Sequence, residues 1–139
     1  MKKLSLFIII VFVLFIFSIP FIIDYFNKIN LENNFESKLE LREELIEEIK
    51  RGTITINENG LANLTEKYHD VAENNYVEVY ECNNQETVIS FLYNAGFPDE
   101  SQYIVYSSHD EKLIENNINK SLYKYIEKIK NNWYFVQFN

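Results

Sequence analysis

Residues 4–23 read LSLFIIIVFVLFIFSIPFII, twenty residues without a charge, interrupted only by Ser5, Ser18 and Pro20. A bilayer core of roughly 30 Å is crossed by about 20 apolar residues in a helix rising ~1.5 Å per residue. A helix satisfies its own backbone hydrogen bonds, which hydrocarbon demands of any spanning segment. Ser5 and Ser18 can return their hydroxyls to carbonyls one turn back. Pro20 lies near the far end, where a lost hydrogen bond costs least. A core helix of a soluble domain would show a polar side, and this stretch is apolar all round. It is expected to be a transmembrane helix.

Lys2 and Lys3 precede the span, whereas Asp24, Tyr25, Phe26, Asn27 and Lys28 follow it with near-neutral charge. The positive-inside rule therefore places residues 1–3 in the cytoplasm and the remainder outside, in a single-pass cell-membrane topology. A cleaved signal peptide shares the basic start and apolar run, but it wants small residues at the cleavage site. The stretch holds no Ala or Gly, and Pro20 beside Ser18 hinders cleavage, so a signal-anchor is favoured. A lipid anchor is disfavoured because Cys82 lies far from the N-terminus.

Downstream, residues 24–139 suffice for one domain. With Lys2 and Lys3 set aside, 11 basic and 21 acidic residues leave this part at −10. Such a charge argues against nucleic acid and against adhesion to anionic lipid. A single cysteine excludes an internal disulfide, so a hydrophobic core must carry stability. The nine Tyr, four Phe and one Trp of residues 60–139 supply material for it.

The order expected is a juxtamembrane linker over 24–34 and a small extracytoplasmic domain over 35–139. The linker, NKINLENN at its end, could equally enter the next helix, with Asn30 or Asn34 as N-cap. From Leu31 to Arg51 the period is helical, with Leu31, Phe35, Leu39, Leu45, Ile46 and Ile49 on one side and Leu41 at its edge. Glu36, Glu40, Glu43, Glu44 and Glu47 fall opposite, and Gly52 supplies the terminating residue. Lys38 and Arg42 interrupt the apolar arc. Their stems are expected to snorkel past the core edge, the alternative being a partner-facing helix with polar register residues.

After Gly52 the period changes to two. Thr53-Ile54-Thr55-Ile56 reads as a short strand and Asn57-Glu58-Asn59-Gly60 as a turn, while Leu61, Leu64, Tyr68 and Val71 suggest helical turns. Strands are expected over 76–82, 87–94 and 102–108, joined at Asn83-Asn84-Gln85 and at 96–100. Residues 108–120 read as a polar loop. Residues 122–130 fit either period and are taken as a strand, because Asn131-Asn132 then turns tightly into the strand 133–138. The fold class is α+β: a transmembrane helix, one amphipathic helix and a mostly antiparallel meander of five or six strands, with one face under the helix and the other in water.

The series Leu64, Tyr68, Phe91, Gly96, Tyr106-Ser107-Ser108 and Asn132-Trp133-Tyr134-Phe135-Val136 resembles small uncharacterised membrane-anchored or secreted proteins of AT-rich Gram-positive bacteria. The resemblance covers residues 52–139 at most and implies no activity. The abundance of Asn, Ile, Lys and Tyr is compatible with an AT-rich genome.

Chemistry-bearing residues are sparse. His69 and His109 each precede an aspartate, Asp70 and Asp110, without metal-ligand spacing. Cys82 lacks the surroundings of a nucleophile, and consecutive Ser107-Ser108-His109-Asp110 cannot converge as a triad. The sequons at Asn63 and Asn119 carry no weight in so Asn-rich a chain. No cofactor, metal site or catalytic residue is expected. The strongest feature is an aromatic on most strands, Tyr76 and Tyr80 among them. Tyr93, Tyr103, Tyr106, Tyr123, Tyr125, Trp133 and Tyr134 form the expected interaction surface, since tyrosine gives contact area at low entropic cost. The expected function is non-catalytic binding by an acidic extracytoplasmic module, with the bilayer and another protein as partners. The alternatives are an immunity- or inhibitor-type envelope protein and a pilin-like subunit. The pilin reading lacks a Gly-Phe processing site and an early Glu in the apolar helix.

Overall fold

The computed structural model describes residues 2–82, 86–94 and 101–138. The joins expected at 83–85 and 96–100 lie outside the described residues, as do the side chains of Ser5 and Cys82. The chain forms two compact units, Met1–Ser37 and Lys38–Asn139.

The first unit is helical. Helix α1 runs unbroken over Lys2–Lys50, with Pro20 inside it. Residues 24–34 stay helical throughout, so Asn30 and Asn34 are interior residues and not N-caps. The stretch contains neither Gly nor Pro, and an interior Asn costs only about 0.7 kcal/mol relative to Ala. The Ser18 hydroxyl donates to the Phe15 carbonyl at 2.7 Å, the return bond expected of it. Phe12, Phe17, Phe21 and Phe26 are exposed, Phe17 to 69% and Phe21 to 76%.

The second unit begins with the last turns of α1. Arg42, Leu45, Ile46 and Ile49 are all buried at i, i+3, i+4 and i+7 spacing. Arg42 therefore departs from the expected snorkelling: it is 1% exposed, and its Nε donates to the Val71 carbonyl at 3.1 Å. Its guanidinium lies 5.7 Å from the centre of the Phe91 ring, a cation–π contact. Burial brings its pKa down to about 10, which still leaves it cationic at neutral pH. Lys38 is partly buried.

Beyond Gly52 the expected strand at 53–56 reduces to a single bridge, Ile56 with Ala62. Asn57 accepts from the backbone N–H groups of Asn59 and Leu61 and so closes the turn. Strand β1 (Leu61–Asn63) takes the start of the expected helical turns, and a 3-10 helix (Glu66–Val71) forms the rest, with Tyr68 and Val71 buried. Gly60 sits at φ +75°, and a Cβ there would meet the Val79 carbonyl oxygen at 3.0 Å. Gly60→Ala is accordingly expected to lower unfolding stability by about 1–2 kcal/mol, read from urea unfolding.

Strands β2 (Tyr76–Cys82), β3 (Thr87–Asn94), β4 (Gln102–Ser107), β5 (Tyr123–Lys130) and β6 (Trp133–Phe138) complete a six-stranded sheet. Its order is β1-β2-β3-β4-β6-β5, with every neighbouring pair antiparallel. The fold class is α+β as expected, and residues 122–130 resolve in favour of strand. The meander, however, holds only through β4. The chain then crosses over to the edge as β5 and returns as β6 between β5 and β4. Asn132, at φ 67°, makes the turn in this hairpin, a conformation Asn tolerates better than most residues.

The crossover carries a second correction. Residues 108–120 contain helix α2 (Glu111–Asn117), capped by the Asp110 carboxylate, which accepts from the Lys112 N–H at 3.1 Å. Leu113, Ile114 and Ile118 pack with Val88, Val105, Tyr134 and Val136. These strand residues alternate with Phe91, Tyr106 and Trp133, which meet α1 or lie beside those that do. The sheet is thus covered on both faces, and the expectation of a wet second face does not hold.

Candidate interaction surface

The seven aromatic residues expected to form one surface divide between the two sheet faces. On the α1 face, Trp133 packs against Phe91 at 5.7 Å and Tyr106 at 5.3 Å between ring centres. Tyr93 and Tyr125 flank Phe135 there at 6.4 and 5.9 Å. On the α2 face, Tyr134 belongs to the core cluster, with Tyr103 and Tyr123 packed against it. Trp133 and Tyr134 are buried and present no surface. Tyr93, Tyr103, Tyr106 and Tyr123 are partly buried, and only Tyr125, at 44%, is exposed. Aromatic rings are the largest apolar bodies in the chain, so two helices covering the sheet claim most of them for the core.

What the tyrosines of the α2 face do build is a polar clasp on Glu78, a residue that the aromatic pattern passes over. The Tyr80 hydroxyl donates to Glu78 Oε2 at 2.5 Å, and the Tyr103 hydroxyl reaches Oε1 at 3.5 Å. Glu78 stands opposite Ser90 across β2 and β3. Alternation places Glu78 and Tyr80 on one side of β2, and an acidic residue in such a strand next to tyrosines was the signal available. Burial first, and then Glu78, push the Tyr103 phenol up to about 12. Tyr80 is raised too, by burial and by its hydrogen bond to Glu78.

The sign of the consequence follows from the unfolded phenol, which ionises near pH ~10. Because the folded phenols hold their protons longer, their contribution is intact below pH ~10 and is lost as pH rises through about 12. The urea midpoint is expected to fall over that interval. In the Tyr80→Phe, Tyr103→Phe double variant the fall becomes shallower; an unchanged slope would assign the alkaline loss to other groups.

The histidines stay with their sequence neighbours. His69 is exposed, with Nδ1 donating to the Glu66 carbonyl at 2.6 Å and Nε2 3.1 Å from Asp70. His109 Nδ1 and Ser108 Oγ share a hydrogen bond of 2.9 Å. Ser107 Oγ donates to the Asp110 carbonyl at 3.1 Å while Asp110 caps α2, so the consecutive Ser-Ser-His-Asp run stitches the β4–α2 corner. Among the described residues, no group of three His, Cys, Asp or Glu side chains could hold a metal ion.

One edge of the sheet differs in character from the rest of the domain. Among the described residues, strand β5 has β6 as its neighbour on one side and ends the sheet on the other. Lys124, Tyr125, Glu127, Lys128 and Lys130 are exposed along it. Three of the 11 basic residues of the −10 part thus stand within eight residues.

No family model, curated protein or solved structure matches the chain.

Proposed function

We propose that the chain is a single-pass membrane protein whose small acidic α+β domain lies outside the cell and acts as a non-catalytic binding module for another protein. The observation that carries this reading is the apolar start of α1. One N-terminal helix is long and apolar enough to cross a membrane, and over 11–23 every side chain but that of Ser18 is exposed. In water such a row of phenylalanines would drive aggregation; hydrocarbon is the solvent that suits it. Lys2 and Lys3 on one flank, against the near-neutral flank 24–28 on the other, favour the domain outside. The sheet unit keeps its aromatic residues largely internal and its charges outward, which suits a water-facing module. No activity is assigned to it.

Photo-cross-linking in native membranes, with the reactive group placed at exposed domain positions such as Tyr125, tests the binding role. A discrete adduct that needs the folded domain is expected. A profile at background for every position would contradict it.

A further inference from the structure

We propose that the β5 edge accepts an extended acidic segment of a partner protein as an added strand. The inference rests on the binding-module reading and names the place and the chemistry of its partner.

An edge strand presents a row of backbone N–H and C=O groups that a second chain can pair with. Strand β5 is the long edge of this sheet, with eight residues against three in β1 at the other end. Register sets Lys128 beside Tyr134, on the α2 side of the sheet, and Lys130 beside Trp133, on the α1 side. Exposed lysines therefore flank the edge from both faces, with Lys124 further along it. An incoming strand would meet ammonium groups on either side of its backbone, so acidic residues at successive positions complement it.

Lysines and bulges on an edge are also the ordinary means of preventing self-association. The same charges serve both ends. Antiparallel pairing of two β5 strands centred on Glu127 would set Lys124 against Lys130 and Glu127 against Glu127, like charges directly opposed. A second copy is disfavoured where an acidic strand is favoured. The remainder of the −10 domain repels such a partner everywhere else, which confines it to this edge.

The test uses the full chain in nanodiscs of zwitterionic lipid and a fluorescent peptide of repeated Val-Glu-Glu-Thr units, which carries carboxylates on both faces of a strand. Binding by anisotropy is expected, with amide exchange slowed along β5. The Lys124→Glu, Lys128→Glu variant should weaken it about tenfold, as loss of two exposed ion pairs predicts, while Lys112→Glu on α2 should not. A peptide with proline in place of valine keeps the charge but cannot pair as a strand, and it should not bind. Equal binding of the proline peptide would reduce the effect to ion exchange and overturn the proposal. So would protection away from β5, absence of binding, or peptide-free dimers that protect β5. Cross-linking of the charge-reversed chain in native membranes separates the two failures. Adducts that persist there retain the binding module and remove only the edge; their absence at all positions in the unaltered chain removes both.

Discussion

Replacing Arg42 by alanine is expected to lower the unfolding free energy of the sheet unit by about 4 kcal/mol. Two losses combine. The side chain is fully buried in the stripe that joins the end of α1 to the sheet, so its removal leaves a cavity beside Leu45, Ile46 and Phe91. The Val71 carbonyl also loses its donor, and a buried acceptor without a partner costs about 1–3 kcal/mol. Arg42→Met separates these contributions, because methionine fills much of the volume but donates nothing; it should cost about half as much. Fluorescence reports this directly. Trp133 is the sole tryptophan and packs on Phe91, the ring under the guanidinium. Equal stability of the alanine variant and the parent would show that Arg42 is a passenger in the core.

Trp133→Ala should be comparably severe, at about 3–5 kcal/mol, against a total of ~5–15 kcal/mol for an ordinary domain. The indole is buried on the α1 face between Phe91 and Tyr106, on strand β6, which is paired on both sides, so no shift of a loop can fill the space. Far-UV dichroism must follow this variant, since the fluorophore is gone. Much of the β signal should be lost at growth temperature while the chain stays in the membrane fraction. The apolar residues of the Met1–Ser37 unit need nothing from the sheet in order to partition into hydrocarbon. Release of the unfolded chain into the soluble fraction would show that the sheet unit, not the apolar helix, holds it there.

These two residues show where sequence reading works and where it stops. The apolar run at 4–23 is legible because it is apolar all round, and the amphipathic arc ending at Gly52 and the strands at 76–82, 87–94 and 133–138 because one periodicity dominates each. The sequence pattern sets Arg42 at the core edge, because a cation in an apolar arc ordinarily finds water. Two of its partners, the Val71 carbonyl and the Phe91 ring, are 29 and 49 positions away, and no local pattern announces them. Helix α2 was legible in principle: Asp110 stands as a cap, Glu111 follows, and Leu113, Ile114 and Ile118 fall on one side. The polar residues between them masked it. The presence of α2 also decides which aromatic residues are exposed. With a second helix over the sheet, Tyr134 becomes core and Tyr103 and Tyr123 become its border. The passage of β5 to the edge, with β6 inserted beside β4, is likewise a choice between topologies that residue spacing does not distinguish.

The reading of this chain as an anchored, outward-facing module is tested most directly by protease shaving of intact cells that carry an epitope tag after Asn139. The account predicts loss of the tag from whole cells, with a shortened fragment containing residues 4–23 retained in the membrane fraction. Protection of the tag until the cells are lysed would contradict it and place the acidic domain in the cytoplasm.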